Sequence, residues 1–277
     1  MNLEPLGIIA GTGTLPAHVA IQALERGHRV VVIALVGFTD KGIEKIAHET
    51  VWMKLGQLQR AVDTLKANGV TRVVMVGKIE KANLMRPWNI GLDLRGFRML
   101  RNLTDWRDDT VLAGIANELL RDGIVIDEIT GWAGSLMAPM GVITRRPPDK
   151  REWTDVEFGR EMAKGIGKLD IGQTVLVKNA AVIVVEAIEG TDRAIRRAGD
   201  LGITGAVVVK MAKPQQDMRF DVPGVGSPTI EAMLAAKATV LAVEAGRTMI
   251  TDYDDMKALA DRSKISVVGI PPEGPIR

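Results

Sequence analysis

Short apolar segments alternate with amphipathic segments along most of the chain. In its first half, the predicted strands and helices lie, in chain order, at 6–10, 16–26, 29–36, 58–68, 72–76, 109–121 and 124–129. Strands and helices that alternate at these lengths form βαβ units, whose parallel sheet is covered by helices on both faces. The alternation therefore predicts an α/β fold whose N-terminal half is a Rossmann-like, doubly wound domain.

The segment 131–151 breaks this alternation. It combines glycine, proline and charges of both signs, a composition that is typical of a linker. Helices and strands are then predicted at 153–165, 174–177, 181–186, 192–198, 205–209, 228–236, 239–244, 254–262 and 266–269. A chain of 277 residues suits two domains. We predict a Rossmann-like nucleotide-binding domain at 1–131, a linker at 132–151 and a catalytic α/β domain at 152–277.

The amino-acid composition argues against several classes of protein. The 36 basic and 34 acidic residues are interspersed, so no basic stripe favours a nucleic-acid partner. Cysteine is absent and the three histidines are far apart, which argues against disulfides, a thiol nucleophile and zinc sites. The sequence shows no signal peptide and no apolar run of the ~20 residues that a spanning helix needs. These features predict a cytoplasmic protein, or one that at most lies against a membrane.

The run Gly11-Thr12-Gly13-Thr14 lies between the first predicted strand and the first predicted helix. Small residues at such a turn let backbone N–H groups approach an anion, and the helix N-terminus favours negative charge. A dinucleotide fingerprint would have glycine where Pro16 stands and an acid closer to the second strand than Asp40. The run therefore indicates either a phosphate-binding turn or a tight turn without a ligand. Gly77 and Lys78 also follow a predicted strand, and we expect them to face the same crevice.

Charged residues are concentrated between positions 186 and 221. Acidic side chains stand at 186, 189, 192, 217 and 221, and basic ones at 210, 213 and 219. Carboxylate oxygens bind hard cations such as Mg²⁺, and lysines neutralise phosphate charge. A solvated loop is the alternative interpretation, but this density of charge between two valine-rich runs favours a functional one. Because no Ser/His/Asp or Cys/His pairing is evident, metal-activated water is a simpler mechanism than a covalent nucleophile.

Five runs of the sequence resemble one known family, the LpxI-type UDP-2,3-diacylglucosamine pyrophosphatases. They cover nearly the whole chain in order, and the Glu-Gly-Thr-Asp and Arg-Phe-Asp motifs within them are distinctive. The runs are 6–16, 169–173, 185–192, 213–223 and 244–246. One departure concerns Gly224, which stands where the family usually has a threonine and so removes a hydroxyl next to the motif that contains Asp221.

The resemblance implies a fold and an activity. The fold would be a Rossmann-like N-terminal domain joined to a C-terminal α/β domain peculiar to the family, and the protein would form a homodimer. The activity would be hydrolysis of UDP-2,3-diacylglucosamine to 2,3-diacylglucosamine 1-phosphate (lipid X) and UMP in lipid A biosynthesis, with water attacking the α-phosphorus in the presence of a divalent cation. Such a lipid substrate implies a cytoplasmic protein, with peripheral contact to the inner membrane. Asp221 matches the family's critical acid.

These arguments assign roles to individual residues. Asp192, Asp217 and Asp221 are predicted to bind Mg²⁺ or Mn²⁺ and, with Lys213, to be catalytic. The predicted substrate-binding residues are Gly11, Thr12, Gly13, Thr14, Gly77, Lys78, Asp109, Gln173, Glu189, Gly190, Thr191, Lys210 and Arg219. Asp108, before Asp109, reads as the N-cap of the helix that follows. Two alternatives stay open: an NAD(P)-dependent oxidoreductase and a non-catalytic nucleotide-sugar sensor.

Overall fold

The computed structural model describes residues 3–79, 90–105 and 108–276, which fall into two compact units. The first unit comprises Met1–Gly134 with Met218–Phe220, and the second comprises Ser135–Asp217 with Asp221–Arg277. The Arg-Phe-Asp motif is therefore divided, because Arg219 belongs to the first unit by its contacts and Asp221 to the second.

The first unit contains one five-stranded parallel sheet with the strand order β3-β2-β1-β4-β5. Its strands are β1 (Leu3–Ala10), β2 (His28–Leu35), β3 (Glu49–Met53), β4 (Arg72–Val76) and β5 (Val125–Ile126). Its helices are α1 (Leu15–Glu25), α2 (Leu58–Ala67), α3 (Leu94–Arg101), α4 (Asp108–Arg121) and α5 (Thr130–Ala133), with a 3₁₀ helix at Lys41–Lys45. This strand order is that of a doubly wound fold, so the predicted fold of the N-terminal half is confirmed.

Burial explains why the central strands were evident in the sequence and two other elements were not. In β2 every residue from Val30 to Leu35 is buried, as expected of a parallel strand covered on both faces. The strand β3 buries only Met53, and α3 buries only Gly96 and Met99. Neither element has the long apolar pattern on which sequence prediction depends.

The second unit contains a mixed six-stranded sheet with the order β6-β13-β11-β9-β7-β8, in which β9, β11 and β13 are parallel. Its strands are β6 (Gly141–Val142), β7 (Thr174–Lys178), β8 (Ala181–Val185), β9 (Val207–Lys210), β11 (Val240–Glu244) and β13 (Ser266–Ile270). A separate parallel pair is formed by β10 (Gly224–Val225) and β12 (Met249–Ile250). The helices are α6 (Lys150–Lys168), α7 (Thr191–Asp200), α8 (Ser227–Ala235) and α9 (Tyr253–Arg262), and a 3₁₀ helix spans Gly134–Leu136. The prediction of a second α/β domain is confirmed. Within the described ranges, none of the helices combines the length and apolarity needed to cross a bilayer.

Most of the segment predicted as a linker is built into the second unit. Gly141–Val142 pairs antiparallel with β13, where Val142 lies opposite Val268. The next residue, Ile143, donates its N–H to the carbonyl of Val267 at 2.9 Å. Glycine and proline in this segment therefore mark a short edge strand with turns around it, a role in which both residues are common.

The beginning of α6 is held by a hydrogen-bond network around Glu152. Arg146 donates to both carboxylate oxygens of Glu152 at 2.8 and 3.0 Å, and the hydroxyl of Thr239 donates to Oε1 at 2.7 Å. Glu152 also accepts from the backbone of Asp149, whose side chain in turn caps the helix as a capping box. The network ties α6 to the residue just before β11.

We expect Glu152→Gln to lower the free energy of unfolding at neutral pH by about 1–3 kcal/mol, because Arg146 loses a charged bidentate partner. Burial by itself would raise the pKa of Glu152. Hydrogen bonds from Arg146, Asp149 and Thr239 outweigh it and hold the pKa below its ordinary 4.5. The stabilisation is therefore fully present above pH 4.5 and is lost as the pH falls through the folded-state pKa.

Urea unfolding of the wild type and the variant over a pH series measures this difference, which should shrink below pH 4.5. Glu273→Gln is the matched control, since its side chain is 87% exposed and its contact with Lys164 is 3.7 Å long. An equal effect of both substitutions would contradict the assigned role of Glu152.

Candidate active site

Lys210, the last residue of β9, is a buried cation in the second unit. Lys210 is only 5% exposed. Its Nζ donates to the hydroxyl of Thr191 at 2.9 Å and to the carbonyl of Gly224 at 2.8 Å. Burial lowers the pKa of Lys210, and the negative charges of Glu186, Asp192 and Asp221 oppose that shift. Two hydrogen bonds and three negative charges therefore act on one ammonium group.

Glu186 follows β8 and is 7% exposed. Its Oε1 accepts from the hydroxyl of Thr191 at 3.0 Å, whereas its buried Oε2 has no hydrogen-bond partner among the described residues. The hydroxyl of Thr174 lies 3.4 Å from that of Thr191. Lys210, Thr191 and Glu186 thus form one chain of hydrogen bonds from a cation to a carboxylate.

Two glycines shape the backbone on either side of this chain. Gly190 has φ of +82° and ψ of 165°, a conformation that only glycine adopts readily, and it lets Thr191 begin α7. Gly172 lies so close to Glu186 that a Cβ atom there would be 2.1 Å from the carbonyl oxygen of Glu186. The Gly-Thr-Asp part of the Glu-Gly-Thr-Asp motif therefore places a hydroxyl and an aspartate near Lys210, and the glutamate there is Glu186, which precedes the motif.

Asp192 and Asp221 are the two predicted acids that act electrostatically on Lys210. Asp192 accepts from the hydroxyl of Thr229 at 2.9 Å. Asp221 is exposed and accepts from Nε2 of Gln216 at 2.6 Å. Both carboxylates keep further acceptor positions, since each oxygen has two lone pairs.

The donor chemistry of these acids fits a hard divalent cation, although the set is small. Across residues 3–79, 90–105 and 108–276, no three His, Asp or Glu side chains are grouped as a metal-ligand set. Mg²⁺ at phosphate-transferring sites is commonly held by one or two carboxylates, with substrate phosphates and water as the other ligands. Asp192 and Asp221 are two carboxylates of that kind, and both act on Lys210.

The structure places other predicted residues of this unit in different contacts. Lys213 donates from Nζ to Asp170 at 2.6 Å, and Glu189 accepts from Arg197. A hydrogen bond from its own backbone N–H and the pairing with Arg197 lower the pKa of Glu189. The carbonyl of Asp217 accepts from the N–H of Asp221 at 3.0 Å, so Asp217 shapes the loop that leads to Asp221.

Buried polar atoms lie near the same strand ends. Gln173 precedes β7 and its side-chain oxygen is buried without a hydrogen-bond partner among the described residues. Glu244, at the end of β11, is 2% exposed and accepts from the N–H of Ala212 at 2.8 Å. Glu244 thereby fixes the chain just beyond Lys210.

In the first unit the structure brings Gly11–Thr14 and Gly77-Lys78 together, as the sequence indicated. Thr12 and Lys78 exchange backbone hydrogen bonds of 2.8 and 3.1 Å, and the N–H of Gly11 donates to Val76. A Cβ atom on Gly11 would be 2.7 Å from the carbonyl oxygen of Lys78. The N–H groups of Gly11 and Thr12 are thus occupied by Val76 of β4 and by Lys78, and the turn offers an anion only the later amides, beginning at Gly13.

The remaining predicted residues of this unit lie close by or outside the described side chains. Thr14 is the N-cap of α1 and makes no side-chain capping bond, and Lys78 is exposed. The guanidinium of Arg219 lies 4.9 Å from the ring centre of Phe220. The helix α4 begins at Asp108 itself, one residue before the predicted start. The side chains of Asp108 and Asp109 are outside the described residues.

Two features of the site were not assigned from the sequence. Glu186 belonged to the charged cluster but received no specific role, and the carbonyl of Gly224 binds Lys210 although glycine offers no side chain. The sequence did contain a signal for Glu186, because this charged residue directly follows the apolar run 181–185. The role of Gly224 is a backbone interaction, which residue type does not reveal.

Comparisons with known proteins agree with this architecture. The model of the LpxI N-terminal domain matches residues 5–136, and that of the LpxI C-terminal domain matches residues 139–268. A relative from Caulobacter vibrioides, UDP-2,3-diacylglucosamine pyrophosphatase LpxI, is 29% identical over 98% of this chain and 99% of its own.

Solved structures are more distant. UDP-glucose-4-epimerase from Stenotrophomonas maltophila is 14% identical with a TM-score of 0.31, over 44% of this chain and 35% of the epimerase. The protein gox2253 is 11% identical with a TM-score of 0.33, over 90% of this chain and 78% of its own. Likeness at this level carries no argument about function. The two domain models, in contrast, together match nearly the whole sequence, and the chain belongs to the LpxI family.

Proposed function

We propose that this protein hydrolyses the pyrophosphate bond of UDP-2,3-diacylglucosamine, giving 2,3-diacylglucosamine 1-phosphate and UMP in lipid A biosynthesis. Membership of the LpxI family and the name of the Caulobacter relative support the reaction. The observation that supports it from the geometry is a buried lysine at the end of β9 on which the negative charges of Glu186, Asp192 and Asp221 act. A pyrophosphatase needs fixed positive charge for the phosphoryl group and acids for a cation and water.

The residues around Lys210 fit distinct steps of that reaction. An ammonium group has three N–H donors, and two are used by Thr191 and Gly224, which leaves one for a phosphoryl oxygen. Asp192 and Asp221 would hold Mg²⁺ or Mn²⁺, which when bound polarises the phosphoryl oxygen and acidifies water. Asp221, being exposed, also has an oxygen available to orient a water molecule toward the α-phosphorus.

The other predicted residues are proposed to contact the substrate. In the second unit these are Gln173, Glu189, Gly190 and the backbone of Thr191, whose hydroxyl is used by Lys210 and Glu186, with Lys213 and Asp217 as further catalytic residues. For the nucleotide, the proposed contacts from the first unit are Gly13, Thr14, Gly77, Lys78, Asp109 and Arg219, together with Gly11 and Thr12 through atoms other than their occupied N–H groups. The later amides of the turn and the α1 N-terminus favour an anion there.

Phosphorus NMR of the products formed in ¹⁸O-labelled water tests this function. Attack at the α-phosphorus places the label in UMP, and attack at the other phosphorus places it in the sugar phosphate. We expect labelled UMP, and loss of turnover when a chelator removes divalent cations. Binding of UDP-sugars without release of UMP would favour a nucleotide-sugar sensor, and tight, saturable binding of NAD(P)H would favour an oxidoreductase.

We further propose that the protein works in the cytoplasm as a homodimer and touches the inner membrane through α3. One face of α3 is exposed and carries Leu94, Phe97, Arg98 and Arg101, whose spacing places them on the same side of a helix. Leu94 is 63% exposed and Phe97 is 53% exposed. Exposed apolar side chains interleaved with arginines are suited to an anionic lipid surface. A diacylated substrate resides in such a surface, which gives this contact a purpose.

We expect the double substitution Leu94→Ser and Phe97→Ser to reduce binding to phosphatidylglycerol vesicles by at least about tenfold, because two inserted apolar side chains are lost. Co-sedimentation with vesicles measures the binding, and phosphatidylcholine vesicles show the contribution of charge. Leu201→Ser, at a 57% exposed position of α7's C-cap, is the control. Unchanged vesicle binding would show that this face does not contact lipid. Dissociation of a dimer in sedimentation velocity would show that the face contacts a second copy of the chain instead.

A further inference from the structure

We infer that Glu186 is a positioning residue that orients Lys210 through the hydroxyl of Thr191. The inference rests on the proposed phosphoryl-transfer function, and it gives a role to a glutamate that the family resemblance did not single out. Glu186 directly follows β8, Thr191 begins α7 and Lys210 ends β9, so three separate elements supply the three groups.

The direction of each hydrogen bond follows from the chemistry of the groups. A protonated lysine only donates, so the oxygen of Thr191 accepts from Nζ over 2.9 Å. The single hydroxyl hydrogen of Thr191 is then free to donate to Oε1 of Glu186 over 3.0 Å. Thr174, whose oxygen is 3.4 Å away, is left as a donor to Thr191. Glu186 therefore determines which way the lone pairs of Thr191 point, and these determine where Lys210 is held.

The unused oxygen of Glu186 indicates that this carboxylate is kept for a purpose other than stability. Oε2 is buried and has no hydrogen-bond partner among the described residues. A buried carboxylate oxygen without a partner is costly, and such groups concentrate at functional sites. Its negative charge favours the ammonium form of Lys210, as do the charges of Asp192 and Asp221.

Kinetics of four variants test the chain of hydrogen bonds. We expect Glu186→Gln and Thr191→Val each to lower kcat by about tenfold to a hundredfold with KM within about twofold, as for other groups that orient a catalytic residue. Thr191→Ser keeps the hydroxyl and should stay within about threefold of wild type. Glu186→Gln removes the charge and leaves a weaker acceptor, and the double variant should be no slower than Thr191→Val, because Glu186 is inferred to act on Lys210 through Thr191. Glu231→Gln, on an exposed residue of α8, is the control for charge.

A second measurement does not depend on catalysis. In ¹⁵N-lysine-labelled protein, the buried ammonium of Lys210 should give a slowly exchanging signal, assigned by its absence in Lys210→Met. We expect Glu186→Gln and Thr191→Val to broaden or shift that signal and Glu231→Gln to leave it unchanged. An unchanged signal in Glu186→Gln, or multiplicative kinetic effects in the double variant, would overturn the inference. Wild-type protein that releases no UMP would instead refute the proposed function, and the NMR result would still decide the role of Glu186.

Discussion

Asp221→Asn should lower kcat for release of UMP by at least about a hundredfold and leave the free energy of unfolding within about 0.5 kcal/mol of wild type. The carboxylate is exposed, so its replacement by an amide of the same shape creates neither a cavity nor a buried unpaired charge. Its loss removes a negative oxygen that is proposed to hold the cation and water. Nε2 of Gln216, 2.6 Å from Oδ2, remains able to donate to the amide oxygen.

Steady-state kinetics with UDP-2,3-diacylglucosamine and urea unfolding measure the two quantities. Asp200→Asn is the matched control, since Asp200 is an exposed aspartate of the same unit at the end of α7. Near-normal hydrolysis by Asp221→Asn would remove this residue from the proposed mechanism. Weaker turnover that excess Mg²⁺ or Mn²⁺ restores would indicate that the carboxylate binds the cation rather than orienting water.

Lys210→Met should affect both catalysis and stability. We expect kcat to fall by about 10²–10³-fold, since a fixed charge aimed at the phosphoryl group is lost. We also expect the free energy of unfolding to fall by about 3 kcal/mol, because Glu186 stays buried without its cation. The variant also no longer has to bury an ammonium group, which stabilises it. This gain is smaller than the loss, because the charge of Glu186 remains buried without its partner.

The double variant Lys210→Met with Glu186→Gln separates the two effects. Removal of the second charge should restore at least half of the lost stability without restoring any activity, because the neutral pair no longer contains an isolated buried charge. Lys237→Met, on a lysine outside the site just after α8, controls for the loss of a positive charge. If the double variant is no more stable than Lys210→Met, the charges of Glu186 and Lys210 do not depend on each other.

The elements that were predicted well are those whose local pattern and burial agree. The strand β4 lies at Arg72–Val76 as predicted, and α7, α8 and α9 begin within one residue of the predicted starts. Valine-rich runs with glycine on either side identify buried strands, and a proline or acidic residue where the apolar periodicity begins identifies helix starts. The strand β3 and the helix α3 were missed because each buries a single side chain, Met53 and Met99 respectively.

For the charged cluster, residue type predicted the position of the charges along the chain but not their partners. The sequence indicated that lysines and acids lie at strand ends, but not which of them pair. Lys213 binds Asp170 and Glu189 binds Arg197, whereas Lys210 is the lysine that is buried beside acids. Each lysine has a flexible stem, so the partner that it reaches depends on the path of distant segments.

The sequence by itself determined the family and the α/β fold class, and it indicated the segment 186–221 as the candidate site of the second unit. Apolar periodicity and local motifs suffice for this, because they depend on neighbours in the chain. Only the tertiary structure decided that Lys210 is buried, that Thr191 connects it to Glu186, and that the carbonyl of Gly224 is its second acceptor. These contacts join residues up to 19 positions apart, from Thr191 to Lys210, and they depend on strands that pair out of chain order.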